Sequence, residues 1–125
     1  MKLIFKKGNL FEGCLTKYLE NINGNNKLVF TNGVFDILHV GHIRYLKNAA
    51  LNGDFLIVGI NSNLSANKLN KVGNRPIIDE LERAEVLSCL FFVDLVIVFN
   101  EKTPEKLIKL IKPNVYIKGG DYEVE

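Results

Sequence analysis

His39 and His42 stand three residues apart, with Gly41 between them, at the end of the run Thr31-Asn32-Gly33-Val34-Phe35-Asp36-Ile37-Leu38-His39-Val40-Gly41-His42. Ile43, Leu46, Lys47 and Ala50 follow at helical intervals. The spacing therefore predicts a helix whose first turn carries both imidazoles on one side. A helix start also offers unpaired backbone N–H groups and the positive end of the helix dipole. Two imidazoles added to such a start make a place for a phosphate or a developing pentavalent phosphorus. Paired histidines at a helix start also cap turns or bind metals. Here Gly41, which has no side chain to fill the space, and the strand ahead of the run favour the phosphate.

The surrounding elements must hold that turn. Lys27 to Thr31 is a β-branched and aromatic run that reads as a buried strand, so the dodecamer is a strand, a glycine-bearing turn and a helix ending at Asn52-Gly53. Asp54 to Ile60 is almost continuously apolar, as a central parallel strand is. Asn61 to Pro76 reads as a polar loop carrying Lys68, Lys71 and Arg75, and long loops in small domains are usually functional. Asp79 is a candidate N-cap for the next helix, where Leu81, Ala84, Val86, Leu87 and Leu90 form an apolar side. Arg83 on that helix needs either a ligand or a carboxylate such as Asp79 or Glu80. A strand within Phe91 to Phe99 follows, then a helix opened by Thr103-Pro104, then a strand from Asn114 to Lys118 that runs into Gly119-Gly120-Asp121-Tyr122. Alternation of strand and helix predicts an α/β fold with a doubly wound, Rossmann-like parallel sheet and right-handed crossovers, whose ligand sits beyond the carboxyl ends of the strands. Residues 1–26 are expected to be a helical arm, with a helix over about 10–21, and residues 27–125 the domain proper.

Composition sets bounds. At 125 residues the chain has the size of one domain, and 47% hydrophobic with 24% charged residues is ordinary for a globular protein. A net charge of +2 with scattered Lys and Arg argues against nucleic acid as the main partner. No apolar run reaches membrane-spanning length, and the Met1 to Lys7 start is too short for a secretory segment, so no membrane partner and a cytoplasmic location are expected. The two cysteines, Cys14 and Cys89, are too far apart for a CxxC pair, so reduced thiols and no zinc site are expected.

The run from Gly33 to His42 resembles the HxGH signature of nucleotidyltransferases, as found in glycerol-phosphate and choline-phosphate cytidylyltransferases and, more distantly, in class I aminoacyl-tRNA synthetases. The Phe30-Thr31-Asn32-Gly33 lead-in and Lys118-Gly119-Gly120-Asp121-Tyr122 are similar to the adenylyltransferase domain that makes ADP-heptose from heptose 1-phosphate. The resemblance runs from about Lys27 to the last residue. It implies a strand order beginning 3-2-1-4, which brings His39, His42 and Lys118 around one crevice. It also implies a catalytic set of His39, His42, Lys68 (Lys71 in reserve) and Arg83, with Arg83 reaching the nucleotide phosphates. Nucleotide contacts are implied at Thr31, Gly33, Val34, Phe35, Asp36, Gly41, Lys118, Gly119 and Asp121. Asp36 could orient a histidine, contact the metal or touch substrate.

The reaction so implied is in-line attack by a sugar-phosphate oxygen on the α-phosphorus of a nucleoside triphosphate, with Mg²⁺ bridging phosphates and pyrophosphate leaving. An anionic nucleophile needs no general base, so positioning and charge stabilisation should suffice. ATP with heptose 1-phosphate is the favoured pair. The alternatives are CTP with glycerol 3-phosphate or another alcohol phosphate, and a non-catalytic nucleotide-binding domain. The family pattern continues past the Lys-Gly-Gly-Asp-Tyr turn, whereas this sequence stops at Glu125. From that shortness, weak nucleotide binding, low activity and a homodimer are expected.

Overall fold

The computed structural model describes residues 3–22, 24, 26–69 and 76–118, with the side chains of residues 68 and 69 excepted. Its first elements are a tight antiparallel hairpin, β1 (Leu3–Lys6) and β2 (Asn9–Leu10), paired Phe5 with Leu10 and Lys6 with Asn9. Lys7 and Gly8 both take positive φ, 51° and 84°. That is the two-residue turn whose twist matches the flanking strands. The helical arm expected for residues 1–26 is thus corrected: among the described residues there only α1 (Leu15–Ile22) is helical, burying Leu15, Leu19 and Ile22. The hairpin forms because β1 has a place in the sheet, antiparallel to β5 (Leu95–Phe99), where Ile4 and Phe5 are buried on opposite faces.

The middle of the chain runs β3 (Leu28–Gly33), α2 (Val40–Ala50), β4 (Phe55–Asn61), α3 (Asn63–Leu69), α4 (Glu80–Ser88), β5, α5 (Glu105–Ile111) and β6 (Val115–Ile117). Among the described residues the sheet order is β2-β1-β5-β4-β3-β6, and β5-β4-β3-β6 are parallel. Counted from β3, those four strands stand in the order 3-2-1-4, as expected. Val29, Val58, Ile60, Val96 and Val98 pack one face of the sheet against Leu46 and Ala49 of α2 and Ala84 and Leu87 of α4. Leu28, Phe30, Ile57, Leu95 and Ile97 pack the other face against α1 and α5. Helices on both faces explain why β4 and β5 are apolar without alternation.

The loop expected from Asn61 to Pro76 is also corrected. Asn61 ends β4, and residues 63–69 are α3, whose start is capped by the Ser62 hydroxyl accepting from the Ser65 N–H at 3.1 Å. Ala66 then points into the core, 2% exposed. Asp79 caps α4 as expected, its carboxylate accepting from the Leu81 N–H. α5 begins at Glu105, one residue beyond the expected Pro104, and ends at a left-handed Lys112 ahead of Pro113.

Candidate active site

The carboxyl ends of β3, β4 and β6 lie side by side, with Gly33 opposite Ile60 and Thr31 opposite Ile117. From β3 the chain enters the turn that delivers His39 as the N-cap of α2. The His39 Nδ1 accepts from the Gly41 N–H at 3.0 Å, and the His42 Nδ1 accepts from the His39 N–H at 3.2 Å. The two histidines are thus a reciprocal capping box, a task usually given to Ser or Thr and Glu. A ring nitrogen that accepts from a backbone N–H carries no proton. The neutral form of each ring is therefore held with its hydrogen on Nε2, and each presents a donor there. The rings lie 4.1 Å apart between centroids at a 35° tilt, with His39 exposed and His42 buried. An anion at this helix start meets two imidazole donors placed by the backbone.

Two glycines make this packing possible. A Cβ on Gly41 would fall 2.7 Å from the His39 Cε1 and 3.0 Å from its Nδ1, so any side chain would drive the ring off its backbone partner. A Cβ on Gly33 would fall 2.8 Å from the Phe35 ring. Phe35 is left-handed at φ 51°, which costs a bulky residue about 1–3 kcal/mol and persists only where the surroundings over-determine it. Its ring is buried and meets the His42 ring edge-on at 5.4 Å.

The remaining expected site residues are distributed unequally. Thr31 is fully buried, with its hydroxyl 2.8 Å from the Tyr45 hydroxyl, which in turn donates to the Ile117 carbonyl at 3.4 Å. It ties β3, α2 and β6 together instead of facing a ligand. The Asp36 carboxylate accepts from the Ile77 N–H, at 2.8 and 2.9 Å to its two oxygens, and from the Ile78 N–H at 2.8 Å. Val34 offers its carbonyl to Arg83. Lys118 is exposed just past β6, on the same sheet edge as the histidine turn. Lys68 lies on α3 but its side chain is outside the described residues, as are Lys71, Gly119 and Asp121 entirely.

Arg83 differs most from its expectation. It is 2% exposed, and among the described residues it bonds to neither Asp79 nor Glu80. Its Nε donates to the Ile78 carbonyl at 2.9 Å, Nη1 to the Val34 carbonyl at 2.7 Å and the Asn61 carbonyl at 2.9 Å, and Nη2 to the Asn63 Oδ1 at 2.7 Å. Four of the guanidinium's five N–H groups are spent inside the protein, which leaves little for a phosphate. Burial pulls Arg83 below its ordinary pKa, while the fields of Asp36, Glu80 and Asp79 oppose that pull. Asp79 and Glu80 instead hold Asn63, through its side-chain amide at 3.0 Å and its backbone N–H at 2.7 Å.

Sequence reasoning passed over Tyr45, Asn61 and Asn63, and also Asn32, whose Oδ1 accepts from the Tyr116 hydroxyl at 2.7 Å. A tyrosine on the following helix, fourteen residues past the strand threonine, was the one available signal. Beside the turn, a cleft of about 260 Å³ opens toward α4, lined by Phe35, Ile37, Leu38, Ile78, Val86 and Leu87 together with Asp36, Glu82 and Arg83. A mostly apolar lining with two carboxylates does not suit a phosphate. Among the described residues no group of three or more His, Cys, Asp or Glu could hold a metal ion, and Asp36 is engaged by backbone amides. Mg²⁺ arriving on substrate phosphates would need few protein ligands, since this ion keeps most of its waters. No described helix is long and apolar enough to cross a membrane.

Four parallel strands covered by helices on both faces, with a histidine-capped helix following the carboxyl end of β3, define a Rossmann-like α/β domain. The chain belongs to the cytidylyltransferase-like family, which matches residues 30–125. It is 55% identical over 101 residues to the bifunctional protein HldE of Aliarcobacter butzleri, covering 81% of this chain and 21% of that one. It is 48% identical over 118 residues to the HldE of Campylobacter jejuni serotype O:6, covering 94% and 25%. The chain thus spans about a fifth to a quarter of the length of these relatives. A solved lipopolysaccharide core biosynthesis protein from Thermoplasma volcanium superposes with a TM-score of 0.67 at 37% identity, covering 74% of this chain and 73% of that one.

Proposed function

We propose that this domain transfers a nucleoside monophosphate from a nucleoside triphosphate, ATP before CTP, to a sugar phosphate, heptose 1-phosphate before others, and releases pyrophosphate. The observation that carries the reading is the reciprocal histidine cap, which fixes two Nε2–H donors at a helix start. An oxygen of the sugar phosphate forms the new bond to the α-phosphorus as the α–β bridging bond breaks, and the electron pair leaves with pyrophosphate. The attacking oxygen is already anionic, so no proton has to be removed. His39 and His42 donate to phosphoryl oxygens whose charge grows in the transition state, and losing one such donor costs about 10²–10³ in rate. In this proposal Lys68 adds positive charge at the departing pyrophosphate, and Lys118, Gly119 and Asp121 serve as nucleotide contacts. Mg²⁺ held by the triphosphate supplies further charge neutralisation.

The solved neighbour's name, a lipopolysaccharide core biosynthesis protein, accords with a sugar substrate, while the family description, cytidylyltransferase-like, keeps CTP as the second reading. A cytoplasmic setting accords with two exposed, unpaired thiols, Cys14 and Cys89. A homodimer is part of this proposal. Light scattering tests the dimer. Pyrophosphate release from ATP or CTP, each with heptose 1-phosphate or glycerol 3-phosphate, tests the reaction. Release with ATP and the heptose is expected, and nucleotide binding without release from any pair would make this a binding domain.

A further inference from the structure

Just past the end of β3, two residues that flank a third are held from outside the turn. The Val34 carbonyl is bound by the Arg83 Nη1, and the Asp36 carboxylate by the Ile77 and Ile78 N–H groups. Between them sits left-handed Phe35, whose ring lies over Gly33 and edge-on to His42. The two holds are linked into one ring. Ile78 gives its N–H to Asp36 and its carbonyl to the Arg83 Nε, and Arg83 returns to Val34. The second Nη1 bond, to the Asn61 carbonyl at the end of β4, refers the assembly to the rigid sheet.

We infer that Arg83 and Asp36 are positioning residues for the histidine pair: they fix the backbone on both sides of Phe35, and the Phe35 ring sets the place of His42. A backbone that would otherwise leave the left-handed region is pinned one residue before and one residue after, so the ring cannot withdraw from the imidazole. Neither residue needs to touch nucleotide or metal for this. The kinetic arm of the test rests on the proposed transferase reading, whereas the spectroscopic arm does not.

The test compares Arg83→Lys, Asp36→Ala and Asp36→Asn with the unaltered chain. Long-range ¹H–¹⁵N spectra of the ligand-free protein in mildly alkaline buffer report the tautomer of each ring. The unaltered chain should show both rings with the proton on Nε2, and Arg83→Lys and Asp36→Ala should mix the tautomers of His42. Asp36→Asn keeps an oxygen where Oδ1 accepts from both amides but turns an NH2 toward the Ile77 N–H where Oδ2 accepted, and should restore part of the original pattern and part of the rate lost in Asp36→Ala. In turnover, Arg83→Lys and Asp36→Ala should lower kcat by about 10²-fold, the usual effect of a misplacement near 1 Å, with the nucleotide Kd changed by less than about threefold. Unchanged imidazole spectra in both variants would overturn the inference. So would a nucleotide Kd weakened about tenfold with normal spectra, which would make Arg83 a phosphate ligand. If Arg83→Lys does not fold, the Asp36 pair decides alone. If the unaltered chain shows no turnover, the transferase reading fails and the spectra still decide this one.

Discussion

Gly41→Ala should separate stability from activity at the histidine pair. The new methyl would fall 2.7 Å from the His39 Cε1 and 3.0 Å from its Nδ1, closer than packed carbons come. The backbone has no reason to move, because Gly41 does not need positive φ and a rotating imidazole is the cheaper thing to shift. His39 then loses the bond from the Gly41 N–H, a cap worth about 1 kcal/mol. Alanine in place of glycine inside a helix returns about 1 kcal/mol, so the two nearly cancel. Thermal melting should shift by no more than a few degrees, since about 1 kcal/mol moves a domain of this size by roughly 4–8 °C. Pyrophosphate release should fall by about 10²–10³-fold, because one Nε2–H donor has been turned away from the transition state. Activity within about threefold of the unaltered chain would refute the reasoning, since the His39 donor could then not depend on its cap.

His42→Ala should lower turnover by about 10²–10³-fold under saturating substrate while far-UV circular dichroism stays unchanged; near-normal turnover would remove the phosphate site from this turn. Thr31→Val keeps the shape but removes the hydrogen bond between the Thr31 and Tyr45 hydroxyls, and should cost about 0.5–1.5 kcal/mol in urea unfolding. Leu46→Ala, at a position with no exposure between α2 and the sheet, should cost about 2–5 kcal/mol in the same assay and lower activity only through the fraction unfolded.

The parts of the fold that follow from local pattern were legible in the sequence. The apolar runs of β3, β4 and β5, the Asp79 cap and the Gly41-spaced histidines each announce themselves within a few residues. What was hidden depends on distant partners. Lys7 tolerates the left-handed turn of the first hairpin while its ammonium reaches the carbonyls of Phe91 and Val93, more than eighty positions on. α3 is rich in Asn and Ser, poor helix formers, and is held by the Ser62 cap, by buried Ala66 and by Asp79 and Glu80 gripping Asn63. Arg83 looks the same in sequence whether it meets a phosphate or four protein oxygens. Only the fold shows that Val34, Asn61, Asn63 and Ile78 converge on it. Thr31 reads as a site residue by its place in the run, and the fold spends its hydroxyl on Tyr45.

The central claim is that the histidine turn serves attack on the α-phosphorus, and the fate of labelled oxygen tests it most directly. Heptose 1-phosphate carrying ¹⁸O in its phosphate, incubated with the protein, ATP and Mg²⁺ and followed by ³¹P NMR, should yield a nucleotide sugar that retains all the label and pyrophosphate that has none. Formation of ADP with a doubly phosphorylated sugar would place attack at the γ-phosphorus, and label in the released pyrophosphate would mean that the sugar phosphate's own bond had broken. Either result would contradict the account.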